Sequence, residues 1–418
     1  MQYKLDVLNK LEDINEDKDI RGLSHAIFPG THCPLFGVAL TASYIENMVM
    51  LVVGTSECTY YTKIFAMHRQ EGNDKVYSLV LKDKEVVFGA ENQVKEAIKY
   101  IADNHKPSGI MIVTTCVPEL IGEDYKGIEM ELEEEINLPI FVVNTEHYKC
   151  NSHIPGMKRA IQSLVKLMKK QHNLCGVNIL GHREKGVDNT ELVRILNKNN
   201  IQVNMIVPSK CTIEELECAP SAKVNIVTDM IALDLAKSME KKFGTPYILF
   251  DKHMNLNEIR ENYNELSEIF NIDFNGQLKE EMDNYNKLFL ETKYLLKEKR
   301  FIYGNTPMMA FETAEFLCEL GLKPELIQVR ELYDEDIKWK ESISNMGYNP
   351  YVTRIANIAP LRSIYDIMNV QLYIGHENPI LLKEKGITQL TLDSHAQKIG
   401  YELPIGIMNT LIEKFKWS

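Results

Sequence analysis

The polar and apolar positions of this chain fall into a repeating order: a short apolar run, a turn residue, then a stretch of helical period. Met48 to Val53, Ile110 to Val113 and Pro139 to Asn144 are β-branched or apolar runs of strand length. Segments of helical spacing lie beside them, from about Pro34 to Asn47 before the first run and at Gln93–Ala102 and Glu119–Glu135 around the others. A short strand is expected at Val86, Val87 and Phe88, and a basic helix from Pro155-Gly156 to about Gln171. Residues 1–30 read as an amphipathic lead-in ending in a loop at Pro29-Gly30.

The order then restarts. Strands are expected at Cys175–Gly181, Gln202–Val207, Val224–Val227 and Tyr247–Phe250, with helices at Thr190–Asn199, Thr212–Cys218, Ile231–Phe243 and Asn255–Asn271. A charged amphipathic helix over 276–298 connects to a third round. That round has strands at Arg300–Tyr303, Glu325–Val329, Val370–Ile374 and Thr388–Leu392, and helices over Thr306–Leu320 and Ile405–Phe415. Strand–helix alternation implies parallel sheets covered by helices on both faces. The fold class is therefore α/β, with three Rossmann-like doubly wound domains at 1–171, 172–275 and 276–418.

Composition narrows the function classes. At 418 residues, 44% hydrophobic and 25% charged, this is a globular chain too long for one ordinary core. No apolar run approaches the roughly 20 residues of a membrane span. The opening MQYKLDVLNKLEDINEDKDI is charged throughout and lacks a signal segment, so a cytoplasmic location is expected. A net charge of −12 argues against a nucleic-acid partner. Neither GxxxxGK(S/T) nor GxGxxG occurs, so ATP hydrolysis by a phosphate loop and the usual dinucleotide signature are not expected.

The candidate chemistry lies in the cysteines. There are eight, at 33, 58, 116, 150, 175, 211, 218 and 318, with no CxxC pair. In a reducing compartment metal ligation or catalysis is a better reading than disulfides. Cys33 directly precedes Pro34, a residue suited to the first helical position, so its thiol sits at a helix N-terminus that favours thiolate. Cys58 falls in the loop after Met48–Val53, and Cys116 closes the strand Ile110–Val113. In an open α/β sheet such positions converge on one edge. Spacing by itself balances three cluster thiolates against three buried thiols. His147, Cys150 and His153 stand at HxxCxxH spacing, where a polar loop outweighs a metal site.

CPLFGV at Cys33, GTSECTYY at Cys58 and TTCVPELIGED at Cys116 resemble the nitrogenase component 1 family. VVFGAENQVKEAI and the closing IGYELPIGIMNTLIEKF extend the resemblance over nearly the whole chain, although Leu403 stands where a glycine is common. The cysteine spacing is closer to the beta-type subunit. The resemblance implies that Cys33, Cys58 and Cys116 are ligands of an iron–sulfur cluster, P-cluster-like (8Fe-7S) or an interfacial 4Fe-4S. Three thiolates leave a four-iron cluster incomplete, so a partner chain, a shared cluster or an oxygen donor must complete it. Asn144 stands where the P-cluster serine is expected, and Cys150 lies in the same vicinity. Asp229 occupies the region of the family's cofactor cysteine, and His376 or His395 that of its histidine. A helix N-cap is the preferred role for Asp229 and a loop role for His376.

The implied function is a nitrogenase-like oxidoreductase subunit. It relays low-potential electrons from a separate ATP-hydrolysing iron protein, and pairs with a homologous alpha-type subunit as a heterotetramer or with itself as a homodimer. A tetrapyrrole reductase subunit and a non-catalytic cofactor-assembly scaffold are the alternatives.

Overall fold

The structure, a computed structural model, describes all residues except 1–4, 24–32, 68–74, 151, 184–185, 210, 356–357 and 417–418, and leaves out the side chains of 61, 63–67 and 358–359. The loop expected at Pro29-Gly30 lies outside the described residues. Three parallel sheets carry the chain, in two compact units. One unit comprises Met1–Thr31, Asn189–Leu192 and Lys252–Ser418, the other His32–Asp188 and Val193–Asp251.

The first strand, β1 (Asn9–Lys10), belongs to the first of these units. The second unit contains β2 (Met48–Gly54), β3 (Val76–Val80), β4 (Gly109–Thr114) and β5 (Ile140–Asn144), all parallel, in the order β3-β2-β4-β5. Its second sheet has β6 (Val177–His182), β7 (Val203–Pro208), β8 (Val224–Val227) and β9 (Tyr247–Leu249), in the order β7-β6-β8-β9. Every residue of β2 and β4 is buried. Met48, Met50 and Val52 face one core and Val49, Leu51 and Val53 the other, as the two-residue period of a strand requires.

The helices follow from those two faces. The helices α1 (Pro34–Tyr44), α2 (Ser56–Met67), α3 (Asp83–Phe88), α4 (Glu91–His105), α5 (Cys116–Ile121), α6 (Tyr125–Ile136) and α7 (Ile154–Ser163) surround the first sheet. The α4 residues Val94 and Ile98 and the α6 residues Ile128 and Leu132 fill one core. Along α1 and α7, Val38, Ala39, Met157 and Ile161 fill the other, which also takes Leu180, Met205 and Val227 of the second sheet. The two sheets of this unit therefore share a core, which is why they form one compact body. Between α1 and α7 the backbones nearly touch. A Cβ on Gly37 would lie 2.0 Å from the His153 carbonyl oxygen, and one on Gly156 would lie 2.0 Å from that of Pro34.

The other unit holds β10 (Arg300–Tyr303), β11 (Lys323–Val329), β12 (Tyr351–Arg354), β13 (Leu372–Ile374) and β14 (Thr388–Leu390). Their order is β1-β12-β11-β10-β13-β14, parallel except for the β1–β12 pair. The doubly wound α/β class read from the sequence is thus observed in all three sheets.

Local expectations differ at several places. Val86, Val87 and Phe88 lie on α3, where Glu85 accepts a hydrogen bond from the Lys82 N–H, and the strand is instead Val76–Val80. The segment Glu119–Glu135 is two helices, because Gly122 turns left-handed (φ +80°) between α5 and α6. Cys58 lies within α2 rather than in a loop. The strand Tyr351–Arg354 and the helix Asp336–Asn345 are additional.

Buried carboxyls in the unit of β10–β14 set its pH response. On the helix Ala310–Glu319, burial pushes Glu315 up from 4.5 to about 7, and the Glu319, Glu258 and Glu312 carboxylates add to the rise. The Ser342 hydroxyl donates to it at 2.8 Å and opposes the rise. Because the folded value is the higher, the stabilisation is complete below pH 4.5 and is lost as pH rises through about 7. Glu315→Gln is expected to match the parent in thermal denaturation at pH 4.5. At pH 8 it should be more stable by up to about 3 kcal/mol. Equal stabilities at pH 8 would show that the carboxylate is well solvated there.

Candidate functional site: three thiols at a sheet switch point

From β2 the chain crosses to β3 on one side, while β4 pairs on the other. The carboxyl ends of β2 and β4 therefore flank a topological switch point, the place where open α/β sheets hold ligands. Cys58 lies in the first turn of α2, just after β2, and Cys116 is the first residue of α5, just after β4. Cys33 is the N-cap of α1 with Pro34 following, as expected from the sequence. All three sulfurs thus sit at helix starts. They also feel one another: the charge of Cys58 raises both Cys33 and Cys116, and that of Cys33 raises Cys116.

Burial is the largest influence on Cys33 and pushes its thiol up, against the lowering from the Phe36 and Leu35 N–H groups. The helix N–H groups thus favour the Cys33 thiolate, as read from the sequence, while burial opposes it. Burial comes first for Cys116 too, followed by Cys58. Among the described residues no group of three or more His, Cys, Asp or Glu side chains is set to hold a single metal ion.

The strand ends lock these sulfurs in place. The Thr115 N–H and hydroxyl both donate to the Val53 carbonyl, at 3.2 and 3.1 Å. Gly54 makes room for this: a Cβ there would fall 2.0 Å from Thr115 Oγ1. On α5, Glu119 accepts from the Thr114 hydroxyl (2.7 Å), the Thr145 N–H (2.5 Å) and hydroxyl (3.2 Å), and the Glu146 N–H (2.8 Å). Arg159 of α7 donates to the Thr145 carbonyl (2.6 Å) and to Glu146 (2.7 Å). His147 Nδ1 lies 3.3 Å from Cys116 Sγ. Around Cys58, the Thr55 hydroxyl donates to Sγ at 3.5 Å.

The remaining candidates are distributed as follows. Asn144 ends β5, exposed, with its side-chain amide 3.0 Å from the Thr114 hydroxyl. Cys150 Sγ donates to the Glu146 carbonyl at 3.5 Å. The ring of His153 meets that of Phe36 edge-on at 5.9 Å, so the members of the HxxCxxH run have separate partners. Asp229 accepts from the Ile231 N–H at 3.1 Å as an N-cap and pairs with Arg183 at 3.0 Å. His376 belongs to the other unit, exposed beside Asp393 at 2.9 Å. In that unit His395 is buried, held near pH 4 by burial and then by Lys398, and bonded to Thr410 at 3.1 Å. Sequence reading assigned no site role to Gly54, Glu119 or Arg159. The sequence signal for Glu119 is its place in the TTCVPELIGED stretch that carries the resemblance, three residues after Cys116 and one helical turn away.

The three thiols lie at the switch point of a parallel sheet, where proteins of the open α/β class bind their ligands. Within that class, the chain belongs to the nitrogenase component 1 type oxidoreductase family, whose model matches residues 33–410. It is 28% identical over 217 residues to the nitrogenase molybdenum-iron protein alpha chain of Clostridium pasteurianum, covering 49% of this chain and 41% of that one. It is 26% identical over 341 residues to the nitrogenase iron-molybdenum cofactor biosynthesis protein NifE of the same organism, covering 76% and 74%. The match with that alpha chain thus spans less than half its length. The solved structure of nitrogenase Cp1 at pH 6.5 superimposes with a TM-score of 0.80 over 99% of this chain and 96% of that one. At 19% identity, that likeness carries the fold alone.

Proposed function

We propose that Cys33, Cys58 and Cys116 hold an iron–sulfur cluster, and that the chain is a nitrogenase-like reductase subunit. It receives low-potential electrons from a separate ATP-hydrolysing iron protein and relays them to a reducible substrate. The observation that carries this reading is the convergence of three mutually interacting thiols at the switch point. The cluster supplies one-electron storage at low potential. The chain's own residues hold it with three sulfurs, direct the α1 N–H groups and the Thr55 hydroxyl at those sulfurs, and bury Cys33. The same reading divides the chain into domains at 171/172 and 275/276, each part then carrying the parallel strands of one of the three sheets, with β1 alone added to the sheet of β10–β14.

A partner chain completes the cluster site, either a homologous alpha-type subunit or a second copy. Exposed apolar side chains on α5, which begins at Cys116, and on α3, which packs against α5, support this. Val87 and Phe88 of α3 are 70% and 81% exposed, and Leu120 of α5 is 74% exposed. An apolar group of this kind is a docking surface in ordinary soluble proteins. No helix among the described residues is long and apolar enough to cross a membrane.

A second reading, an assembly scaffold that binds a cluster precursor, is favoured by the extent of the likeness to NifE. It is also favoured by Asp229, which is an N-cap and an ion-pair partner in the region where a cofactor cysteine is expected. Iron and acid-labile sulfide in the anaerobically purified protein, with an EPR signal, are the expected result. Cys116→Ala should lose most of that iron, and unchanged iron in this variant would refute the cluster assignment. Electron transfer from an ATP-dependent iron protein to acetylene, a sulfur compound or a tetrapyrrole separates reductase from scaffold.

A further inference from the structure

We propose that His147 is a hydrogen-bond donor to the cluster ligand Cys116, and that Glu119 and Arg159 are positioning residues that hold it there. The inference rests on the cluster assignment above and concerns the tuning of that cluster. Nδ1 of His147 and Sγ of Cys116 are 3.3 Å apart, within hydrogen-bond range for sulfur. A cysteine bound to iron has lost its proton, so the hydrogen between the two atoms must come from the imidazole. Ligation therefore fixes the Nδ1–H tautomer of His147. A hydrogen bond to a ligating sulfur withdraws electron density from it and favours the reduced cluster.

The backbone around His147 is built for this contact. Glu146, the residue before it, is left-handed (φ 44°, ψ 41°), a conformation uncommon for glutamate. It is held from three directions: its N–H donates to Glu119, and its carboxylate accepts from Arg159 and from Lys149, both at 2.7 Å. The left-handed turn at Glu146 starts the 3-10 turn His147–Lys149, and the imidazole faces α5. Glu119 lies one turn after Cys116 on the same helix. One carboxylate thus ties the helix that carries the sulfur to the loop that carries the imidazole. Strained backbone kept by a dense polar network is characteristic of functional sites.

The test uses the anaerobically purified full chain with its copurifying partner, as wild type, His147→Phe, His147→Gln, Glu119→Gln and the His147→Phe/Glu119→Gln double variant. Iron and sulfide are assayed, midpoint potentials are measured by EPR-monitored titration, and nitrogen coupling is read by pulsed EPR. All variants are expected to keep their iron. His147→Phe should lose a nitrogen coupling and shift the potential downward. At the wild-type midpoint its ratio of reduced to oxidised cluster should fall roughly tenfold, equivalent to about 59 mV for one electron. His147→Gln, which keeps a donor, should recover part of the shift. Glu119→Gln should move the potential the same way, with no further shift in the double variant. An unchanged potential and unchanged nitrogen coupling in iron-replete His147→Phe overturn the proposal. Loss of iron from His147→Phe would make His147 a ligand instead and also overturn it. Iron-free wild type would overturn the cluster assignment and this inference together.

Discussion

Gly156→Ala is expected to destabilise the chain by roughly 3 kcal/mol or more, although alanine normally improves a helix by about 1 kcal/mol over glycine. The sign reverses because of what the methyl group would meet. A Cβ on Gly156 lies 2.0 Å from the Pro34 carbonyl oxygen and 2.9 Å from its Cα, all backbone of the first turn of α1. No rotamer change relieves a contact with backbone, so α1 and α7 must separate. That separation opens the core in which Val38, Ala39, Met157 and Ile161 meet both sheets. Gly37→Ala should behave alike, since its Cβ meets the His153 carbonyl at the same 2.0 Å. Thermal denaturation checks this, with ~2–4 °C expected per kcal/mol for a unit of this size. A rise in melting temperature for either variant would refute the close crossing. Because α1 carries Cys33 at its N-cap, a partly folded variant should also lose iron.

Gly54→Ala should act on the site rather than on the fold. Its Cβ would stand 2.0 Å from Thr115 Oγ1 and 3.0 Å from Thr115 Cβ and Cγ2. Thr115 would then have to rotate, losing its hydroxyl hydrogen bond to the Val53 carbonyl, and the start of α5 would move with it. Cys116 is the next residue. The expected outcome is a soluble protein whose iron content falls several-fold, at a stability cost of about 1–3 kcal/mol. In the Gly54→Ala/Thr115→Ala double variant the closest contact is gone and part of the iron should return. Full iron in Gly54→Ala, or no recovery in the double variant, would show that Thr115 does not position Cys116.

Much of the fold was legible in the chain because buried parallel strands leave a strong local signature. Val224–Val227 and Arg300–Tyr303 have the limits read from the sequence, and β2 and β4 differ only at their ends. Pro34 after Cys33 marked the start of α1 correctly. Failures came where local composition was ambiguous. Val86, Val87 and Phe88 are β-branched or aromatic, yet they lie exposed on a helix, so no strand neighbour rewards them. Gly122 split a continuous acidic pattern that periodicity alone joins.

The amino-acid sequence by itself determined the class of fold, the family resemblance carried by three cysteine motifs, and the placing of Cys33, Cys58 and Cys116 at the ends of strands or starts of helices. Periodicity and residue type are local, and these features need only local information. Which strands are neighbours was decided by the tertiary structure. The order β3-β2-β4-β5 brings Cys58 and Cys116 to one switch point, and the crossing at Gly37 and Gly156 brings α1 against α7. The tertiary structure also decided that Glu119 joins the Cys116 helix to the His147 loop, 26 to 28 positions further along. Such contacts depend on crossover topology and backbone approach, which no stretch of sequence expresses alone.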